Sequence, residues 1–178
     1  GIIRKDGIKT VIIGKPNAGK SSLLNILSGN ERAIVTEIAG TTRDIIEETI
    51  RLDDIVLNLI DTAGIRDTED IVERMGVDRA KEKISEADLC LYIIDATSNP
   101  DDMDINIGRL CQGKKTIIIL NKNDLTEHIK ITNDMISKII PDFNKDAIPV
   151  INTSLINRDG IDDLKEAICK LFFNGSIV

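Results

Sequence analysis

The run that most constrains this chain is GKPNAGKS, Gly14–Ser21, set between the apolar stretch Lys9–Ile13 and a helical pattern over Lys20–Leu27. It fits G-x-x-x-x-G-K-[ST]. Glycines let the backbone curl so that successive N–H groups point inward at an anion. The start of the following helix adds the positive end of its dipole. A Gly/Lys-rich surface turn can carry the same letters. The strand before it and the helix after it decide for a phosphate cradle, and they demand a strand–loop–helix unit.

The rest of the chain repeats that alternation. Ile45–Leu52 and Ile55–Ile60 read as strands joined by a tight turn at Asp53-Asp54, followed by a helix over Val77–Glu86 and a strand over Leu89–Asp95. A short helix over Asp104–Cys111, a strand over Thr116–Leu120 and a helix over Ile129–Ile140 come next. A strand over Ala147–Asn152 and a helix over Ile161–Phe172 complete the series. Six strands alternating with helices predict a three-layer α/β domain with a mostly parallel sheet. The second strand is antiparallel, because too few residues separate it from the third for a crossover. Asn30–Asp44 and Ile65–Gly76 lack periodicity and are expected to be mobile loops beside the phosphate cradle.

At 178 residues the chain has the size of one domain. Aromatic residues are only 2%, so the core rests on Ile, Leu and Val, which suits buried parallel strands. Residues 1–8 are expected to be a linker, and a start at Gly1 rather than Met points to an excised or processed piece. The net charge of −7 disfavours direct RNA binding by this domain. Cys90, Cys111 and Cys169 are widely spaced and odd in number, which fits incidental thiols in a reducing cytoplasm. His128 is the only histidine, which nearly excludes a Ser/His/Asp triad. No apolar run approaches ~18 residues, so no membrane-spanning helix and no membrane partner are expected.

Three motifs give the cradle its ligand. Backbone N–H groups of Asn17, Ala18, Gly19, Lys20, Ser21 and Ser22 face the phosphates. Lys20 reaches the β- and γ-phosphates, and the Ser21 hydroxyl suits Mg2+. Asp61-Thr62-Ala63-Gly64 directly follows a strand. Asp61 suits a Mg2+-water contact, and the Gly64 N–H suits a γ-phosphate. Asn121-Lys122-Asn123-Asp124 follows another strand. Asp124 can accept two hydrogen bonds from the N–H edge of guanine, an edge adenine lacks, and the Lys122 stem can cover the purine. Ser154 and Leu155, after the last strand, offer backbone N–H groups to the guanine oxygen. Each tetrapeptide alone is an ordinary polar loop. In this order, behind the cradle, they specify GTP and GDP over adenine nucleotides.

These motifs, with AGTTRD at 39–44, resemble the Era, Der and MnmE branch of P-loop GTPases, whose fold is Ras-like. IVTEIAGTTRD at 34–44, DTAGIRDTED at 61–70 and VERMGVDRA at 72–80 closely resemble the MnmE (TrmE) family of tRNA-modification GTPases. The resemblance covers essentially the whole chain, as the G domain of such a protein. It implies that Thr42 ligates Mg2+, and that Asn17, Thr36, Ile38 and Thr41 form a K+ site, largely through backbone oxygens of the 36–41 loop. K+ then sits where other GTPases place an arginine finger. It further implies nucleotide-dependent homodimerisation through G domains, and work with the flavoprotein MnmG on wobble uridine by the full-length protein. The resemblance casts Lys20, Gly64 and Glu73 as the catalytic set, with Glu73 positioning the attacking water.

Some alternatives stay open on the residues alone. Ile65 stands where Ras-like enzymes carry a water-orienting Gln. Asp67, Glu69, Asp70 and Glu73 all compete for that task, and only the resemblance selects Glu73; the acids also suit a solvated helix start. Arg43 and Arg66 each follow a phosphate-facing loop, and a surface salt bridge is the preferred reading for both. Leu155 stands where Ala is usual in the family. A nucleotide-gated interaction module, or a ribosome-assembly GTPase of the Der kind, are the competing functions.

Overall fold

The computed structural model describes residues 7–16, 18–32, 48–61, 65, 71–95, 99–121, 133–140, 148–152 and 159–172. Its elements in chain order are β1 (Ile8–Gly14), α1 (Lys20–Asn30), β2 (Glu31–Arg32), β3 (Glu48–Leu52), β4 (Ile55–Ile60), α2 (Ile71–Met75), α3 (Val77–Ser85), β5 (Leu89–Asp95), α4 (Asp102–Leu110), β6 (Lys115–Asn121), α5 (Asn133–Ile139), β7 (Val150–Asn152) and α6 (Asp159–Phe172).

One sheet runs in the order β2-β3-β4-β1-β5-β6-β7. Strand β1 is parallel to both β4 and β5, and the parallel set continues through β6 to β7. Strand β3 is antiparallel to β4, as its short connection requires. The six expected strands are joined at the edge by β2, whose two residues pair antiparallel with β3. Asp53, in the β3–β4 turn, has φ 54, a left-handed conformation that Asp tolerates.

The strands are apolar on both faces because both are covered. Ile12 of β1, Leu91 of β5 and Ile119 of β6 face α1 and α6, where Leu24, Leu27, Leu164 and Ile168 pack. Their neighbours Val11, Tyr92 and Ile118 face the other layer, with Ile71, Ile84, Ile107 and Ile139 from α2 to α5. The side-chain alternation of a strand thus builds two cores from one continuous run. The three cysteines are buried free thiols. Burial and the neighbouring Cys90 hold the Cys111 thiol well above its ordinary range, through the Cys90 hydrogen bond first.

The segment 65–76 departs from the expected loop, since Ile71–Met75 is helical. Ile71 is buried, and Val72 and Met75 pack partly against the same core. Five residues are too few to register a 3.6-residue period, so packing rather than pattern makes this turn.

Helix α4 meets α5 without a gap. A Cβ on Gly108 would lie 2.0 Å from the Ile139 carbonyl oxygen. In an exposed helix Gly→Ala gains about 1 kcal/mol. Here the backbone contact reverses the sign, and overpacking of this kind costs about 3 kcal/mol. Gly108→Ala is therefore expected to lower the thermal midpoint by roughly 6 °C, measured by calorimetry. A rise would show that the α4–α5 contact yields easily.

Candidate functional site

The register of the sheet assembles the site. Val11 pairs with Ile60, Gly14 with Ile93, and Asp95 with Asn121, so β4, β1, β5 and β6 end along one edge. That edge carries the Gly14–Ser21 loop, Asp61 and Asn121. Strand β1 lies between β4 and β5, so chain connections leave to both sides of it. A crevice at such a switch point is where open α/β sheets bind ligands.

Close approach shapes the loop. A Cβ on Gly14 would stand 2.6 Å from the Ile93 carbonyl oxygen, so the chain turns there only with glycine. The Ala18 N–H donates to the Lys15 carbonyl at 3.2 Å, and Gly19 has φ 115. The Gly19 carbonyl accepts from Leu23 N at 2.9 Å and opens α1. Lys20 is buried, while Ser21 and Ser22, in the first turn of the helix, are exposed. The first N–H groups of α1 and a buried lysine thus share one helix start, an arrangement suited to a polyanion.

Asn121, at the end of β6, is buried, and its Nδ2 donates to the Ala18 carbonyl at 2.8 Å. The residue expected to open the base-reading motif therefore also ties that motif to the phosphate loop. The Ser21 hydroxyl donates to the Ile65 carbonyl at 3.2 Å. Asp61 has φ 56, and its Oδ2 accepts from Arg74 Nη2 at 2.5 Å. Glu73, the preceding residue of α2, is exposed. Ser21 and Asp61 are hard oxygen donors of the kind Mg2+ takes beside phosphate oxygens.

Lys15, inside the loop, has partners that sequence reasoning missed. Its ammonium lies 2.9 Å from Asp104 and 3.4 Å from Asp101. Asp101 and Asp104 form a capping box at the start of α4, and Asp104 also accepts from the buried Tyr92 hydroxyl at 2.8 Å. Burial works against the Lys15 charge, but the Asp104 hydrogen bond and the two carboxylates outweigh it and raise its pKa. Burial, then Asp104, push the Tyr92 hydroxyl well above its ordinary range. The only sequence signal was an acid-rich helix start, which names no partner.

The structure brings together Ala18, Gly19, Lys20, Ser21, Ser22, Asp61 and Asn121, with Glu73 on the adjoining helix. Asn17, Thr36, Ile38, Thr41, Thr42, Gly64, Lys122, Asp124, Ser154 and Leu155 lie outside the described residues. So do Arg43, Arg66, Asp67, Glu69 and Asp70.

Residues 9–122 match the family described as 50S ribosome-binding GTPase. The chain belongs to this GTPase family. It is a GTP-binding, GTP-hydrolysing domain, and P-loop GTPases of this kind generally use Mg2+. Over 173 residues it is 50% identical to the tRNA modification GTPase MnmE of Lachnoclostridium phytofermentans, covering 97% of this chain and 36% of that protein. The chain thus spans just over a third of the length of the curated relatives it matches. Among solved structures it is similar to an Aquifex aeolicus Era variant bound to GDP and aluminium fluoride, at 31% identity and TM-score 0.62, over 92% of this chain and 56% of that one. It is also similar to the G domain of the T. maritima FeoB iron transporter, at 25% identity and TM-score 0.58, over 92% of this chain and 98% of that one. The six-stranded, mostly parallel P-loop GTPase fold expected of the sequence is the fold of these neighbours.

Proposed function

We propose that this GTPase domain is the Mg2+-dependent, K+-stimulated motor of a protein that supports wobble-uridine modification of tRNA. The observation that supports the guanine-nucleotide part of this reading is the 2.8 Å bond between Asn121 and the Ala18 carbonyl, which ties the first residue of the base-reading motif to the phosphate loop. Identity of about half to tRNA modification GTPases over nearly the whole chain supports this role; a ribosome-assembly role of the Der kind is the alternative. A nucleotide-gated module that hydrolyses only as a timer is the other competitor.

In this reading Lys20 and the loop N–H groups hold the β- and γ-phosphates. Ser21 and Thr42 would hold Mg2+, with Asp61 beside it, and Gly64 would meet the γ-phosphate. Asn121, Lys122 and Asp124 read guanine, with Ser154 and Leu155 on its oxygen. Asn17, Thr36, Ile38 and Thr41 would hold K+. Once bound, the two ions would supply positive charge beside the transferred phosphoryl group. Glu73 orients the attacking water, which takes the γ-phosphoryl group from GTP and leaves GDP.

Two G domains pair across their nucleotides, and MnmG works with the full-length protein. With a net charge of −7, this domain leaves tRNA contact to other parts of that protein. The setting is the cytoplasm; among the described residues, no helix is long and apolar enough to cross a membrane. Light scattering tests the pairing. The domain with GDP and aluminium fluoride is expected to double its mass in KCl and to remain monomeric in NaCl. An unchanged mass in KCl removes the pairing from the account.

A further inference from the structure

Both described groups assigned to Mg2+ are engaged by one stretch of chain. The Ser21 hydroxyl donates to the Ile65 carbonyl at 3.2 Å, and Asp61 Oδ2 accepts from Arg74 Nη2 at 2.5 Å. The side chains of Arg74 and Asp61 are only 23% and 11% exposed, so this pair is better shielded than an ordinary surface bridge. A guanidinium on that oxygen occupies the place where a hydrated cation would donate.

The surroundings allow the contact to open. Helix α2 is anchored to the core by Ile71. It ends at Gly76, whose φ of 83 belongs to the left-handed region and whose Cβ position has no neighbour within 4 Å. Gly76 joins α2 to α3, its N–H donating to the Val72 carbonyl at 2.7 Å and its carbonyl accepting from Ala80 N at 3.0 Å, so a change of angle between the two helices is absorbed at this one residue. Glu73 precedes Arg74 on the same short helix, so a shift of that helix that withdraws Arg74 from Asp61 also carries Glu73.

We propose that Arg74 is a positioning residue that stands in for the metal, holding Asp61 until Mg2+ and nucleotide displace it and release α2. The proposal rests on the Mg2+ reading above. It makes metal loading and the placement of Glu73 a single event, so an unloaded site keeps its water-positioning helix latched. It differs from an arginine finger in that Arg74 acts on Asp61 and not on the phosphates.

The test follows release of a fluorescent GDP analogue from this chain while free Mg2+ is raised from chelator to millimolar levels. Removing a competitor strengthens apparent metal binding. Arg74→Ala is therefore expected to need roughly five- to tenfold less Mg2+ for half-maximal slowing of release, the range of a partly buried charged pair. Arg74→Lys keeps the charge but loses the planar guanidinium, and is expected to need at least about twofold less. It decides the matter if the Ala variant does not fold. Arg79→Ala removes one exposed positive charge from α3 and is expected to leave the midpoint unchanged. An unshifted midpoint in the Arg74 variants overturns the proposal and leaves the Mg2+ reading standing. So does an equal shift in Arg79→Ala, which reduces the effect to general electrostatics. Release that ignores Mg2+ in the unaltered chain overturns the metal reading and the proposal with it.

Discussion

Glu73→Ala is expected to lower GTP turnover by about 10²- to 10³-fold while leaving GDP affinity within about twofold. Ile65 is 2% exposed and apolar, so it cannot orient water as a Gln does in Ras-like enzymes. The task passes to a polar side chain nearby. Glu73 is exposed on α2, a helix tied to Asp61 through Arg74 and to the core through Ile71. It therefore adjoins the phosphate edge without being packed into it. Because Glu73 contributes only to the hydrolytic step in this account, its loss leaves nucleotide binding intact. Single-turnover phosphate release, paired with a fluorescent GDP titration, separates the two. Normal turnover in the variant would return the role to Asp67, Glu69 or Asp70.

The parts legible in the sequence were those with local causes. Strands β4 and β5 have the bounds their apolar runs suggest, because each is buried on both faces. The phosphate loop was legible because glycine, lysine and serine must stand at fixed spacing to do its work. Helix α4 begins two residues before the expected Asp104, because Asp104 is the partner in a capping box and not the first residue of the helix. Strand β2 was missed because two consecutive polar residues give no apolar run to read.

The contacts that organise the site are tertiary. Asn121 reaches Ala18 across 103 positions of chain. Lys15 and Arg74 each choose particular carboxylates from 30 acidic residues, and only the fold makes that choice. Arg74 stood within VERMGVDRA, a run informative about family but silent about contacts.

The second large effect concerns the cation beside the phosphates. The chain lacks the water-orienting Gln, and a salt bridge is the preferred reading for Arg43 and Arg66. Charge developing on the γ-phosphoryl group must still be offset in the transition state. In the proposed mechanism a K+ ion held by Asn17 and by oxygens of the 36–41 loop would supply that charge. Na+ is smaller, and on that reading it would replace K+ only poorly. The expected penalty is large, since a positive charge at this place contributes factors of ~10³ or more where an arginine supplies it. Part of that factor is retained through Mg2+ and Lys20, so at least about a tenfold difference between salts is expected. The decisive measurement is GTP turnover by this domain in KCl and in NaCl at equal ionic strength and saturating Mg2+. The account predicts turnover at least about tenfold faster in KCl; equal rates in the two salts would contradict it.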